Sequence, residues 1–331
     1  MFNKSRRPSS SELFSGVRAG IYERFPNIDS SNTWFINLYN GLGDVFYVLA
    51  YLREFRRIHK VKYLVVVYRS SVQDVVDMYR EDFDATVPLK SDFPLDKTLS
   101  EFGPNLLICP SKAFVYEGAW IDLAKGNRVP VTDWYKFGLR LPMTSKFQPP
   151  NYQPVDTSHL IRNQGKKIVL FFPYTGFGKR LDKNDWKHII EAFPDDEYVK
   201  YTNCKNTTWD STNASTQNEI LNEYEPLPGT ESLTCSLKEV FSIAKQGAIA
   251  VCAYGGMATI LAFLVEKIIL VQKVQVYENA GIFNSSHEGE RWTSLDMSGT
   301  CLKKDLPFLK NLLEIDINNN AGKKIENFLK N

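Results

Sequence analysis

Residues Ala248 to Val271 read AIAVCAYGGMATILAFLVEKIILV, and the fold turns on this stretch. Ala248 to Ala253 is a wholly apolar run of strand length. Gly255 and Gly256 break it. Met257 to Glu266 then carries apolar residues at helical spacing, and Lys267 to Val271 is a second β-rich apolar run. Strands that are apolar on both faces belong in sheets covered on both faces. Strand, glycine turn, helix and strand in succession predict a parallel sheet with helices packed over it.

The same alternation extends in both directions. Upstream, Lys167 to Phe172 predicts a strand, Trp186 to Phe193 a helix, Tyr198 to Thr202 a strand and Ser236 to Lys245 a helix. Downstream, the stretch from Pro307 and the segment Gly322 to Asn331 predict partly helical structure. The first half repeats the theme. Thr33 to Leu38 is a strand, Gly41-Leu42-Gly43-Asp44 a turn, and Val45 to Lys60 a helix with Val45, Val48, Leu49, Leu52 and Phe55 on one face. Val61 to Tyr68 predicts a buried strand, Val72 to Tyr79 a helix and Leu106 to Cys109 a short strand. Between the halves, Phe147 to Gln164 sets Pro149, Pro150 and Pro154 among polar residues, the composition of a linker. The expectation is an α/β protein of two facing Rossmann-like domains with parallel sheets, residues 1–150 and 165–331.

Composition narrows the function. With 43% hydrophobic and 24% charged residues, the chain can bury a core. A net charge of +2 gives no electrostatic case for nucleic acid as a partner. Cys109, Cys204, Cys235, Cys252 and Cys301 are scattered without a C-x-x-C pair, which fits a reducing cytoplasm rather than a disulfide framework or a zinc cage. Cys252 lies inside an apolar strand and reads as core rather than nucleophile. His59, His159, His188 and His287 form no metal motif, so no metal is expected. No G-x-S-x-G elbow is present, which disfavours a serine hydrolase. The longest apolar runs are too short to span a bilayer. The first thirty residues are polar and lack a secretory h-region, while Glu12, Glu23 and Asp29 argue against a transit peptide. They are expected to extend across the first domain.

Three glycine turns could carry chemistry. In Gly41-Leu42-Gly43-Asp44, glycines let the backbone approach a ligand, and the turn lies at the carboxyl end of a strand, where ligands of open α/β sheets collect. Asp44 either caps the following helix or accepts a proton as general base. The second turn, Phe172-Pro173-Tyr174-Thr175-Gly176-Phe177-Gly178-Lys179-Arg180, offers backbone N–H groups at Gly176, the Thr175 hydroxyl and the charges of Lys179 and Arg180. That set suits a phosphate, or is a solvated surface loop; it is not a Walker A loop. The third, Tyr254-Gly255-Gly256-Met257-Ala258-Thr259, opens a helix and makes either an anion site or a close strand–helix contact. Arg53, Arg56, Arg57, His59 and Lys60 give a basic helix face, either solvated or turned to an anionic membrane surface. Trp120, Trp134 and Tyr135 are read as core in preference to an acceptor groove.

Taken in order, these segments resemble the bacterial heptosyltransferase family. The likeness rests on Gly41-Leu42-Gly43-Asp44-Val45. It rests also on the strand Ile168 to Phe172 with Lys179-Arg180 and Asp185-Trp186. The third part is Ser236-Leu237-Lys238-Glu239-Val240 followed by Ala248 to Ala253 and Gly255 to Thr259. It covers most of the second half and the start of the first. The resemblance implies a GT-B fold and inverting, metal-free glycosyl transfer in the cytoplasm. The co-substrate it implies is a nucleoside-diphosphate sugar, with no other cofactor. The acceptor would be a glycan or lipid-linked hydroxyl in lipopolysaccharide, capsule or related synthesis, with peripheral association at the inner membrane face.

By the same resemblance Asp44 is the base, with Gly41 and Gly43 on the acceptor side. Lys179 faces the donor phosphates and Gly255, Gly256, Met257, Ala258 and Thr259 form the helix turn under the diphosphate; the residue reading of the second turn adds Thr175, Gly176 and Arg180 to the donor site. Ser236 and Leu237 line its base. Two positions depart from the family: Tyr254 stands where an acid is usual, and Thr259 where His is frequent. No acid follows the strand Tyr198 to Thr202, so Asn203 is the nearest polar group for a ribose. An epimerase or hydrolase on the same frame, or a non-catalytic nucleotide-sugar or glycan-binding partner, stays open beside transfer.

Overall fold

The computed structural model describes residues 23, 33–38, 41–89, 106–108, 131–162, 165–173, 181–204, 225–253, 255–272, 276–277, 292–293, 306–317 and 320–331. The chain divides into two compact units, one of residues 1–124 with 132–151, the other of residues 125–131 with 152–331.

The first unit is built on a four-stranded parallel sheet of β1 (Thr33–Leu38), β2 (Tyr63–Arg69), β3 (Ala85–Leu89) and β4 (Leu106–Ile108), in the order β3-β2-β1-β4. Val65, Val66 and Val67 of β2 are fully buried, as their β-branched run requires. The helix expected over Val45 to Lys60 is two helices, α1 (Leu42–Leu49) and α2 (Leu52–Ile58). Tertiary structure imposes the break: the Ala50 carbonyl accepts the Gln148 N–H at 3.0 Å, while Tyr51 N–H turns back to the Val48 carbonyl at 3.1 Å. The next helix is also shorter than its pattern, a 3₁₀ turn at Ser70–Val72 leading into α3 (Gln73–Asp77). Strand β3 escaped the pattern because it is short and contains Pro88; it lies at the sheet edge, where proline is tolerated. A further helix, α4 (Val131–Gly138), closes the described part of this unit.

The second unit holds a six-stranded parallel sheet in the order β12-β9-β8-β5-β6-β7. Its strands are β5 (Lys167–Phe172), β6 (Tyr198–Asn203), β7 (Glu231–Leu233), β8 (Ile249–Ala253), β9 (Lys267–Gln272) and β12 (Leu312–Asp316). A two-stranded antiparallel ribbon, β10 (Val276–Tyr277) with β11 (Trp292–Thr293), stands apart from it. Helix α5 (Lys183–Ile190) starts at Asp182, whose side chain exchanges bonds with Asp185 in a capping box. Helix α6 (Leu237–Lys245) starts the same way at Ser236 and Glu239. Helix α7 (Gly256–Leu261) follows β8, and α8 (Ala321–Lys330) ends the chain. The stretch after Pro307 corrects the sequence expectation: Leu312–Asp316 is an edge strand paired with β9. Its five residues are too few to show a helix or strand period. Trp186 is fully buried in the core, edge-on to Phe171 with ring centroids 6.2 Å apart.

The proline-rich stretch from Phe147 is anchored throughout its described length. Phe147 packs on Phe46, Tyr47 and Tyr51, and Asn151 N–H bonds the Met78 carbonyl at 3.0 Å, all within the first unit. From Tyr152 the anchors belong to the second unit. The Tyr152 hydroxyl meets Ser242 Oγ at 2.8 Å, Val155 N–H reaches the same Ser242 Oγ at 2.9 Å, and Gln246 Nε2 donates to Thr157 Oγ1 at 2.8 Å.

Candidate functional site

In both sheets the strand order reverses beside the first strand. In the first, the chain runs β1, β2, β3 outward and returns to place β4 on the other side of β1. In the second, β5, β6, β7 run outward and β8 returns beside β5. Ligands of open α/β sheets bind at such reversals, outside the carboxyl ends of the strands.

Asp44 lies at the reversal of the first sheet. Gly41 is the N-cap of α1 and Asp44 sits in its first turn, half-buried, with Gly43 beside it. A Cβ on Gly41 would stand 3.6 Å from Asp44 Oδ2, an ordinary van der Waals contact, so Gly41 lies directly against the carboxylate. The Tyr135 hydroxyl donates to Asp44 Oδ1. Tyr135 comes from α4 and is buried. Sequence reasoning placed Tyr135 in the core, and it is there, but its hydroxyl reaches a candidate catalytic group.

The segment carrying Thr175, Gly176, Lys179 and Arg180 lies outside the described residues, as do Tyr254 and all of the N-terminal extension but Glu23. Of that segment's neighbours in sequence, β5 ends at Phe172 and α5 begins at Lys183. Gly255 follows β8, the neighbour of β5, and α7 starts at Gly256. Gly256 and Met257 are half-buried and open the helix, where the first N–H groups have no intrahelical partner. Ala258 is less available: its N–H is engaged by the Gly255 carbonyl at 3.0 Å and its side chain is buried, as is that of Thr259. Asn203 ends β6, on the other side of β5, and is 6% exposed. Its Oδ1 is buried without a hydrogen-bond partner among the described residues. A buried acceptor needs a hydrogen-bond donor, and the residues that directly follow Cys204 lie outside the described ones.

Ser236 and Leu237 have structural duties. The Ser236 hydroxyl is held in its capping box by Glu239, and Leu237 is buried. Hydrogen bonds from the Ser236 N–H and hydroxyl hold the Glu239 carboxyl below its usual range. Burial drives the Cys252 thiol far up, consistent with a core residue, and the Cys235 thiol up to about 12. The basic face of α2 is largely paired: Arg53 with Asp82 at 2.8 Å, Arg56 with Asp84 at 3.0 Å, Arg57 with Glu54 at 2.9 Å. Among the described residues no cluster of His, Cys, Asp or Glu is placed to hold a metal ion, and no helix is long and apolar enough to cross a membrane.

No protein-family model and no curated protein matches the sequence. Solved structures do match in three dimensions. Heptosyltransferase II of E. coli, an ADP-heptose lipopolysaccharide enzyme, superposes with a TM-score of 0.55 at 11% identity, over 90% of this chain and 97% of its own. The fold is of the GT-B type. TibC, an iron-containing dodecameric glycosyltransferase from enterotoxigenic E. coli, matches at a TM-score of 0.50 and 14% identity, over 78% of this chain and 64% of its own. Its complex with ADP-D-β-D-heptose matches at a TM-score of 0.52 and 14% identity, over 78% of this chain and 63% of TibC. The likeness read from three short motifs and the likeness in three dimensions thus lead to the same GT-B proteins.

Proposed function

We propose that this chain is an inverting, metal-independent glycosyltransferase that moves a sugar from a nucleoside-diphosphate donor to a hydroxyl of a glycan or lipid-linked acceptor. The observation that carries the reading is positional. Asp44 stands at the reversal of the first sheet, and the turns after β5 and β8 start at the reversal of the second. The first unit, residues 1–150 in the sequence reading, is the acceptor side; the second, residues 165–331, holds the donor. Asp44 takes the acceptor proton as the oxygen bonds to the anomeric carbon, through an oxocarbenium-like state. The bond to the diphosphate breaks, and the leaving oxygen keeps the electron pair. Thr175, Gly176, Lys179, Arg180 and the first N–H groups of α7 receive that charge, an effect typically worth about 10²–10³ in rate for one such donor. Asn203 accepts from a ribose hydroxyl.

Membrane association, in this reading, comes through a lipid-linked acceptor rather than through α2, whose arginines are neutralised by Asp82, Asp84 and Glu54. ADP-heptose is the first donor to test, because it is the ligand of the TibC complex. Tyr254 and Thr259, which depart from the heptosyltransferase pattern, require a wider panel of ADP-, GDP-, UDP-, CMP- and dTDP-linked sugars. Thermal unfolding and calorimetry with this panel test the donor site. One nucleotide class should raise the melting temperature of the wild type, since ligand bound to the native state stabilises it by mass action. The Lys179→Ala protein should lose that gain. A protein indifferent to every nucleotide would sink the reading.

A further inference from the structure

We propose that Tyr135 is a positioning residue for Asp44: its phenol fixes the carboxylate and stabilises its charged form. The inference rests on the reading of Asp44 as the base. Asp44 and Tyr47 lie three residues apart on α1, so they share a helix face. Tyr135 lies along that face. Its ring stacks on Tyr47 with centroids 5.3 Å apart and planes inclined by 15°, and its hydroxyl donates to Asp44 Oδ1. The ring is 2% exposed, so the hydroxyl is delivered by a packed body. Helix α4, which carries it, is itself tied down. Lys136 bonds Asp133 and the Met143 carbonyl, both at 2.9 Å, and places its ammonium 5.8 Å from the centre of the Tyr51 ring. Tyr135 is 91 residues from Asp44 in sequence.

A packed phenol bonded to a half-buried carboxylate has two consequences. The carboxylate loses rotamer freedom, which preserves the geometry a proton transfer needs. A donor bonded to the charged form of a carboxylate favours that form over the neutral one. In the reaction, the proton leaving the acceptor hydroxyl goes to the Asp44 carboxylate, which the Tyr135 hydroxyl holds through Oδ1. No further reactant is needed.

Tyr135→Phe removes the hydroxyl and keeps the ring. The test is the ¹³C carboxyl titration of Asp44 in the full chain, with the signal assigned by its loss in Asp44→Asn. The Tyr135→Phe protein should titrate Asp44 about one pH unit higher than wild type, a tenfold change in acidity from one lost hydrogen bond. An unchanged midpoint overturns the proposal. Should Tyr135→Phe fail to fold, the bond is read from its other side: in Asp44→Asn the Tyr135 phenol should ionise at lower pH than in wild type, because the neighbouring negative charge is gone. A phenol titration that does not move overturns the proposal equally. Turnover separates the two claims. An Asp44→Asn protein that still releases nucleoside diphosphate at the wild-type rate removes the base reading and the positioning role with it. An inactive Asp44→Asn beside an unmoved carboxyl titration removes only the role of Tyr135.

Discussion

A carboxylate in the first turn of a helix is favoured by the helix dipole whatever else it does, so Asp44 alone could not be assigned from sequence. The structure adds a partner that no local pattern contains. Tyr135 was legible as a core aromatic because its helix buries it, but a bond spanning 91 residues leaves no periodic trace. Asn203 shows the opposite case: its place after a predicted strand was legible, while its orphaned Oδ1 needed coordinates. That orphan makes a prediction with two signs. Asn203→Leu should raise stability by roughly 1 kcal/mol, since it removes an unsatisfied buried acceptor, and should weaken binding of whichever ribonucleotide stabilises the wild type. Unfolding curves with and without that nucleotide read both effects. A variant that loses stability and keeps its affinity would remove Asn203 from the donor site.

At the scale of elements, the strands buried on both faces were read closely. Lys167–Phe172 has the bounds its apolar run suggested. Helix α4 escaped, and so did the short edge strands β3, β7 and β12, where three to five residues carry no clear period, although the apolar edge strand β4 was read. The break between α1 and α2 escaped too, because its cause is the distant Gln148 N–H on the Ala50 carbonyl. Capping explains why the S-L-x-E motif at Ser236 marks a helix start. Ser236→Ala should cost about 0.5–2 kcal/mol in chemical denaturation, the usual worth of such a cap, with no direct loss of nucleotide affinity. A large affinity loss at unchanged stability would instead restore Ser236 to the donor site.

The partner of that cap titrates. The Glu239 carboxyl is depressed by its bonds to Ser236, so folding favours its charged form. Its contribution to stability is therefore present above the ordinary carboxylate range and is lost as pH falls through its folded value. The stability gap between wild type and Glu239→Gln should be widest near neutral pH and should close as acidification carries Glu239 through its depressed folded titration. A gap that widens with acid would contradict this assignment.

For the whole molecule, each of two parallel sheets has one reversal of strand order, and the proposal sets the base Asp44 at the first and the donor phosphates at the second. The two-unit organisation was visible in the repeated strand–helix alternation. The donor sugar was not, because the positions that would distinguish it include residues departing from the heptosyltransferase pattern. If the second unit alone binds the donor, nucleotide should slow amide hydrogen exchange at the carboxyl ends of β5, β6 and β8 and leave β1 unaffected. Protection centred on β1 would reverse the roles given to the two units.

The most direct test of the whole account is to compare Asp44→Asn with wild type in two assays, using the nucleotide sugar that stabilises the protein. One is calorimetric binding of that donor; the other is release of nucleoside diphosphate in the presence of acceptor. The account predicts near-normal donor binding with release reduced by about 10² or more, as expected for loss of a general base. Equal loss of binding and release, or release at the wild-type rate, would contradict it.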